Sequence, residues 1–195
     1  PEAIRALHAL GVRDFGENYV QEAVRKIEAL GELPVTWHFV GPVQSNKTRA
    51  IATHFDFVHA VDRERIARRL SEHRPRSRGP LRVFVQVNID REPSKAGVAP
   101  EEAAALAAQV AALPGLDLQG LMVIPRADAD PEATRDAFRR THRLLDLLET
   151  PHADSLSMGM SGDLEAAIAE GATWIRVGTA LFGPRPARDA GGPER

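Results

Sequence analysis

Short apolar runs and longer amphipathic segments alternate along this chain. The runs, such as Val83-Phe-Val-Gln-Val87 and Trp174-Ile-Arg-Val177, are mostly apolar and lack a clean two-residue alternation. That pattern is typical of strands that are covered on both faces. Between the runs lie segments such as Pro1–Leu10, whose apolar residues fall near one stripe and so predict a helix.

Seven segments are predicted to be strands and seven to be helices. The strand candidates are Val12–Tyr19, Val35–Gly41, Phe55–Val61, Arg82–Ile89, Leu116–Pro125, Ser155–Ser161 and Trp174–Phe182. The helix candidates are Pro1–Leu10, Val20–Leu30, Asn46–His54, Arg63–His73, Pro100–Ala112, Pro131–Glu149 and Leu164–Glu170.

Strict alternation of strand and helix predicts parallel pairing through helical crossovers. A (β/α)8 barrel needs eight strands, each followed by a helix, whereas this chain opens on a helix candidate. We therefore expect an α/β fold, a (β/α)8 TIM barrel whose first strand lies upstream of Pro1. The alternative is an open doubly wound sheet, but no Gly-x-Gly-x-x-Gly turn follows a first strand. We expect one barrel domain over residues 1–183 and a flexible tail over 184–195.

Composition narrows the class of protein. The chain has 195 residues, 43% of them hydrophobic, which suffices for one domain with a sizeable core. A net charge of -2 argues against nucleic-acid binding, which needs a clustered excess of Lys and Arg. The absence of cysteine excludes a disulfide scaffold and a thiol nucleophile. No apolar run approaches the roughly 20 residues of a membrane span, and no signal-peptide pattern is present, so we expect a soluble cytoplasmic protein.

Two loops near the end of the chain carry the candidate chemistry. TIM barrels place their sites at the carboxyl ends of the strands, and the loops after the last two strands commonly hold phosphate. Here those loops read Met158-Gly-Met-Ser-Gly-Asp163 and Arg176-Val-Gly-Thr179. Backbone N–H groups at a helix N-terminus, with a hydroxyl beside them, suit an anion. The alternative for the first loop is that Ser161 or Asp163 only caps the following helix.

Arg176 interrupts a run that is otherwise fit for burial, and a buried guanidinium is costly unless it is paired. It is therefore either half of a structural ion pair, with Glu17 as a candidate partner, or a partner for a ligand. Glu17 and Asn18 follow an early strand and either point into the barrel mouth or are solvated. His38 lies in an apolar strand, which favours a hydrogen-bonded core histidine over a catalyst.

Lysine is scarce, and no metal site stands out. The three lysines are Lys26, Lys47 and Lys95, and the last lies on a polar loop where we expect it to be solvated. No spacing typical of metal ligands occurs among His54, Asp56, His59 and Asp62.

Several motifs, spread in order over nearly the whole chain, resemble the YggS/PROSC family of pyridoxal-phosphate homeostasis proteins. They are Gly16-Glu-Asn-Tyr-Val-Gln-Glu22, Trp37-His-Phe-Val-Gly-Pro-Val-Gln-Ser-Asn-Lys47, Asn88 with Ser94-Lys-x-Gly97, Gly120-Leu-Met-x-Ile-Pro125, Leu156-Ser-Met-Gly-Met-Ser-x-Asp-x-Glu-Ala-Ala-Ile168 and Ile175-Arg-Val-Gly-Thr-Ala-Leu-Phe-Gly183.

The resemblance implies a single barrel similar to the N-terminal domain of alanine racemase. Members of that family hold pyridoxal 5'-phosphate (PLP) on a lysine as a Schiff base and have no established catalytic turnover. Their accepted role is to bind, deliver or buffer the cofactor. The resemblance therefore implies a cytoplasmic PLP carrier with no catalytic residues, whose partners are PLP and PLP-dependent apo-enzymes. We expect a monomer that binds neither nucleic acid nor a membrane.

The same resemblance assigns the cofactor site residue by residue. It implies a phosphate cradle of Ser161, Gly162, Gly178 and Thr179. Arg176 corresponds to the partner of the pyridine nitrogen, and Asn18 to a residue beside the ring. A cation facing that nitrogen disfavours its protonation, which makes the cofactor a weaker electron sink.

The Schiff-base lysine of the family lies at the end of the first strand, in a Ser-Lys-Thr-x-Pro-like motif. Pro1 matches the end of that motif, so we expect the anchoring lysine just upstream of Pro1, outside this sequence. Neither Lys47 nor Lys95 matches its position.

Two other functions stay open. A PLP-dependent, racemase-like enzyme would need an acid–base group on the far face of the cofactor, which related enzymes supply from an additional domain. A barrel enzyme acting on a sugar phosphate would use Glu17 or His38 as its base.

Overall fold

The computed structural model describes residues 1–150 and 152–183, and a sheet of seven parallel strands lies at its centre. The strands are β1 Asp14–Glu17, β2 Thr36–Phe39, β3 Phe57–Val61, β4 Leu81–Val87, β5 Leu116–Val123, β6 Ser155–Met160 and β7 Trp174–Arg176. Each strand pairs in parallel with the next one along the chain, so the spatial order equals the sequence order. All carboxyl ends therefore lie at one edge.

Eight helices connect or flank these strands in the described residues. They are α1 Glu2–Ala9, α2 Val20–Ala29, α3 Thr48–His54, α4 Glu64–His73, α5 Ala103–Ala111, α6 Pro131–Asp146, α7 Leu164–Ala169 and α8 Thr179–Phe182. Short 3-10 turns lie at 45–47, 76–78 and 100–102. None of the described helices is long and apolar enough to cross a membrane.

The predicted fold class is confirmed: the seven strands form a nearly closed α/β barrel with helices packed around it. The strand expected before Pro1 concerns chain outside this sequence and stays a prediction. The tail predicted over 184–195 lies outside the described residues.

The end of the last strand differs from the prediction. The sequence predicts a strand over Trp174–Phe182, whereas β7 ends at Arg176 and Thr179–Phe182 forms the short helix α8. The N–H of Phe182 donates to the carbonyl of Gly178 at 2.9 Å, which closes a helical turn. A short apolar run does not distinguish a strand from a helix, and here the glycine marks the change.

Side chains pack on both faces of the sheet. Every residue of β3 is buried, which agrees with a strand that is covered by helices outside and by other strands across the barrel. Inside the barrel, the His38 imidazole stacks on the Phe57 ring with centroids 4.3 Å apart, and the Trp174 ring lies 5.0 Å from His38 on centroids. The barrel interior is therefore filled by rings, several of which carry polar nitrogen atoms.

Candidate functional site

The two predicted phosphate loops begin side by side at the carboxyl edge of the sheet. Met160 and Arg176, the last residues of β6 and β7, are direct partners in the strand pairing. The chain leaves β6 through residues 161–163 into α7, and it leaves β7 through residues 177–178 into α8. Parallel pairing thus places Ser161 and Gly162 close to Gly178 and Thr179.

The Ser161 side chain links the two loops. Its Oγ accepts a long hydrogen bond of 3.4 Å from the N–H of Ala180, in the first turn of α8. The Asp163 carboxylate instead accepts from the N–H of Met160 at 2.6 Å and braces its own loop. Asp163 is the N-cap residue of α7, although its side chain makes no capping bond, and the capping alternative is wrong for Ser161. Ser161 serves the neighbouring loop instead of its own helix.

Several backbone donors at this edge face open space. Within the part of the chain that the structure describes, the N–H groups of Gly162, Gly178 and Thr179 donate to no protein acceptor. A Cβ built on Gly162 or Gly178 would meet nothing within 4 Å. Unpaired N–H groups beside the Ser161 and Thr179 hydroxyls form a donor set that suits an anion.

Arg176 lies at the base of these loops and is held by two contacts. Its Nη1 donates to Ser157 Oγ at 2.7 Å, and its Nη2 donates to the carbonyl of Val123, at the end of β5, at 3.0 Å. Burial lowers the pKa of Arg176 to about 10, against which the Asp163 charge acts, so the guanidinium is still charged at neutral pH. A guanidinium has five N–H donors and no acceptor, so these two bonds leave donors for a ligand.

The suggested ion pair between Arg176 and Glu17 is wrong. Glu17 is bonded to Lys26 on α2, with Lys26 Nζ donating to Glu17 Oε1 at 2.7 Å. The Glu17 carboxylate therefore pairs with a cation on the neighbouring helix and not with Arg176.

Asn18 follows β1 directly, at the same edge but on the opposite end strand of the sheet. Its side chain is half-buried, and its backbone packs closely on Gly41, where an added Cβ would overlap the Asn18 carbonyl oxygen. Gly41 therefore lets the loops after β1 and β2 meet. The four loop residues and Arg176 form one group, and Asn18 lies at the other end strand.

The expectation that Lys95 is solvated is wrong, because its ammonium group is bonded to other protein groups. Its Nζ donates to the carbonyl of Pro125 at 2.6 Å and lies 3.0 Å from a carboxylate oxygen of Glu92. The ammonium group thus links the loop that follows β4 to the segment that follows β5.

Sequence reasoning missed the side chains beneath Arg176. Ser157 Oγ also lies 2.7 Å from Nδ1 of His59, His59 Nε2 lies 2.9 Å from Nδ1 of His38, and His38 Nε2 lies 3.0 Å from Asp14 Oδ1. His38 is 4% exposed, His59 2% and Ser157 0%. The prediction that His38 is a hydrogen-bonded core histidine is confirmed. The available signal was three polar residues within otherwise apolar strands.

Both imidazoles have a lowered pKa. Burial is the largest cause for His59, followed by the charges of His38 and Arg176. For His38, burial outweighs the opposing hydrogen bond and charge of Asp14. The neutral imidazole is therefore favoured at both positions.

Comparison with known proteins identifies a matching family and close relatives of this chain. The family described as "Alanine racemase, N-terminal domain" matches residues 1–186. The pyridoxal phosphate homeostasis protein of Pseudomonas aeruginosa is 58% identical over 191 residues, which cover 98% of this chain and 81% of that protein. The Escherichia coli K12 protein of the same name is 51% identical over 180 residues, which cover 90% of this chain and 77% of that protein.

A solved structure is similar over most of its length. The structure of PipY from Synechococcus elongatus PCC7942 with PLP bound superposes with a TM-score of 0.85 at 41% sequence identity. The match covers 93% of this chain and 87% of PipY.

Proposed function

This chain belongs to the alanine racemase N-terminal domain family and, within it, to the YggS/PROSC family of pyridoxal phosphate homeostasis proteins, and on that premise we propose that it binds PLP and acts as a carrier or buffer of the cofactor. The observation that carries the proposal is the position of Arg176 directly beneath two loops of glycine and hydroxyl residues. Such a site offers donors to both ends of PLP, the phosphate and the pyridine nitrogen.

The residues at the carboxyl edge fit a phosphate group. We assign the phosphate to the backbone N–H groups of Gly162, Gly178 and Thr179, with the hydroxyls of Ser161 and Thr179 beside them. The open space next to both glycines supports this assignment, because nothing within 4 Å of either would oppose a ligand. The long bond from Ala180 N–H to Ser161 is readily exchanged for a bond to a phosphate oxygen.

Arg176 fits the pyridine nitrogen. A guanidinium only donates hydrogen bonds, so it pairs with the unprotonated ring nitrogen and disfavours its protonation. PLP supplies an electron sink for amino-acid chemistry when it is bound, and this pairing weakens that sink. We assign Asn18 to the side of the ring. The pairing with Arg176 supports storage of the cofactor over turnover.

We further propose that the protein has no catalytic turnover of its own. The competing proposal is a racemase-like activity, and racemases also place an arginine at this nitrogen, so kinetics must decide. We expect alanine racemisation with the loaded protein to equal the rate with free PLP at the same concentration. A rate well above that of free PLP would favour the enzyme.

Nothing in the site favours a sugar-phosphate enzyme. Its candidate bases are His38, which is 4% exposed and bonded to Asp14 and His59, and Glu17, which is bonded to Lys26. Stabilisation of the fold by a sugar phosphate, together with failure of PLP to bind, would reverse this judgement.

The proposal includes a cellular setting. We propose that PLP-dependent apo-enzymes receive the cofactor, that the protein is a cytoplasmic monomer, and that residues 1–183 act as one barrel domain. Cell fractionation tests the location, and light scattering tests the oligomeric state. Transfer to an apo-enzyme is tested by its reactivation rate with loaded protein against the rate with free PLP.

The first experiment is a PLP titration followed by equilibrium dialysis and absorbance spectroscopy. We expect saturable binding of one PLP per chain, lost in the double variant Ser161→Ala/Arg176→Ala. The single variant Lys95→Ala serves as the control for loss of a cation at this edge. Borohydride reduction and peptide mapping of protein extended upstream tests the expected lysine before Pro1. Absence of saturable binding in the unsubstituted protein would overturn the proposed function.

A further inference from the structure

A continuous line of polar groups crosses the barrel interior beneath Arg176. It runs from Asp14 on β1 through His38 on β2, His59 on β3 and Ser157 on β6 to Arg176 on β7. Its four contacts measure 3.0, 2.9, 2.7 and 2.7 Å in that order. Asp14 is the first residue of β1 and Arg176 the last of β7, so the line joins the two ends of the barrel.

Burial lowers the pKa of both imidazoles, and with both rings neutral the hydrogen-bond directions in this line are set from its Asp14 end. Arg176 can only donate, so Ser157 Oγ accepts from it and keeps its one hydroxyl hydrogen for another acceptor. A carboxylate only accepts, so His38 Nε2 donates to Asp14.

The middle bond then has one solution. His38 holds its proton on Nε2, which leaves Nδ1 bare, and His59 Nε2 donates to it. His59 Nδ1 is likewise bare and accepts from Ser157. Both neutral imidazoles are therefore Nε2–H tautomers, and every bond points from Arg176 towards Asp14.

We propose that Asp14, His38, His59 and Ser157 are positioning residues that orient the Arg176 guanidinium towards the ring nitrogen of the cofactor. This inference rests on the proposed function for the identity of the ligand. The line holds one edge of the guanidinium through Ser157, and the Val123 carbonyl holds a second donor. The remaining donors are thereby aimed before any ligand arrives, which lowers the entropy lost on binding.

The surroundings keep the line rigid and neutral. The His59 ring stacks on Phe84 with centroids 4.6 Å apart, and the His38 ring contacts both Phe57 and Trp174, which also contact each other. Protonation of His38 would set its Nδ1–H against the His59 Nε2–H, two donors separated by 2.9 Å. Burial lowers the pKa of both imidazoles, which agrees with neutral rings.

The first test uses the protein without cofactor. Nitrogen-15 NMR distinguishes the imidazole tautomers, and we expect neutral Nε2–H rings at both His38 and His59 at pH 7. An Nδ1–H tautomer or a charged ring at His59 would overturn the proposal, whether or not PLP binds.

A second test asks whether the line acts as one unit. Asp14 does not touch His59, and its side chain is 49% exposed, so Asp14→Ala should fold normally. We expect the His59 ring nitrogen shifts to move in this variant, and the separate Arg176 Nη signals of a held guanidinium to merge. The control is Asp128→Ala, which removes an exposed carboxylate that is bonded to Arg126. Unchanged His59 and Arg176 signals in Asp14→Ala would show that the line is only core packing and would overturn the proposal.

Cofactor measurements then connect the line to the site. We expect Ser157→Ala to weaken PLP binding about tenfold, because Arg176 loses a charge-assisted bond, and Asp14→Ala to weaken it less. With nitrogen-15-labelled PLP, the ring nitrogen shift should move towards that of free PLP in both variants. If the unsubstituted protein binds PLP and both variants match it, the positioning role fails. If the unsubstituted protein binds no PLP, the proposed function fails, and the tautomer and guanidinium signals still decide whether Arg176 is held.

Discussion

The barrel interior and the carboxyl-edge loops satisfy their polar groups in opposite ways. In the interior, Ser157 and both imidazoles are buried and every contact is 3.0 Å or shorter. At the edge, Gly178 and Thr179 are exposed, and the bond from Ala180 to Ser161 that links the loops is 3.4 Å long. The interior completes its own hydrogen bonds, whereas the loops leave donors for a ligand. Substitutions in the interior should therefore reduce stability and binding together, and substitutions at the edge should reduce binding alone.

The largest contrast is expected between two glycines. Gly120, in β5, has φ +148, and an added Cβ would overlap the carbonyl oxygen of Ser155 on β6. Gly120→Ala should lower the free energy of unfolding by about 4 kcal/mol or more, because strain and overpacking act together. Urea denaturation measures the loss. Gly178→Ala is the matched control and should leave stability within about 0.5 kcal/mol, because its Cβ would meet nothing within 4 Å. Equal stability of the two variants would contradict the comparison.

Arg176 belongs to both regions, since it ends the interior line and faces the loops. Arg176→Ala should weaken PLP retention by about 30-fold and cost about 1–3 kcal/mol of stability, because Ser157 and the Val123 carbonyl lose their donor. Lys95→Ala also removes a bonded cation at this edge, but it should change retention far less. Equilibrium dialysis and urea denaturation of the two variants provide the comparison. Equal retention by both variants would count against the role of Arg176 at the ring nitrogen.

Acid should lower the free energy of unfolding through the two buried imidazoles of the interior. The pKa of His38 and of His59 lies below the ordinary value of 6.5 in the folded protein, mainly through burial. Below that value the unfolded chain binds more protons than the folded chain. The two imidazoles therefore leave the free energy of unfolding unchanged above about pH 6.5 and lower it as the pH decreases further. Each imidazole contributes a slope of up to about 1.4 kcal/mol per pH unit.

Urea denaturation between pH 7 and pH 5 measures that slope. The charged groups that face the imidazoles are Asp14, Arg82 and Asp56 around His38, and Arg176 beside His59. Their charges contribute to the pKa of the imidazole that they face. His59→Gln removes one titrating ring, and its slope should be shallower than that of the unsubstituted protein. Parallel slopes in the two proteins would exclude His59 as a source of the pH dependence.

The same contrast explains what the sequence could predict. The alternation of runs and amphipathic segments predicts the seven strands and their order, because it depends on local periodicity. The position of the two loops was predictable because a glycine and a hydroxyl residue follow each of the last two strands, whereas their binding of phosphate stays a prediction. The bond between His59 and Ser157 joins residues 98 positions apart, and only barrel closure brings them together. The pairing of Glu17 with Lys26 was missed because it depends on which face of α2 turns to the strand.

The smallest effect, and the most selective, is expected at Ser161. Ser161→Ala removes one hydroxyl that accepts only a 3.4 Å bond from Ala180, so the free energy of unfolding should stay within about 0.5 kcal/mol of its original value. PLP binding should weaken about fivefold, because the phosphate loses one donor while the backbone N–H groups remain. Ser155→Ala is a control, since its hydroxyl bonds only to its neighbour Asp154 among the described residues. A loss of stability in Ser161→Ala as large as in Ser157→Ala would mean that the edge loops are part of the structural core, and the distinction between the two regions would fail.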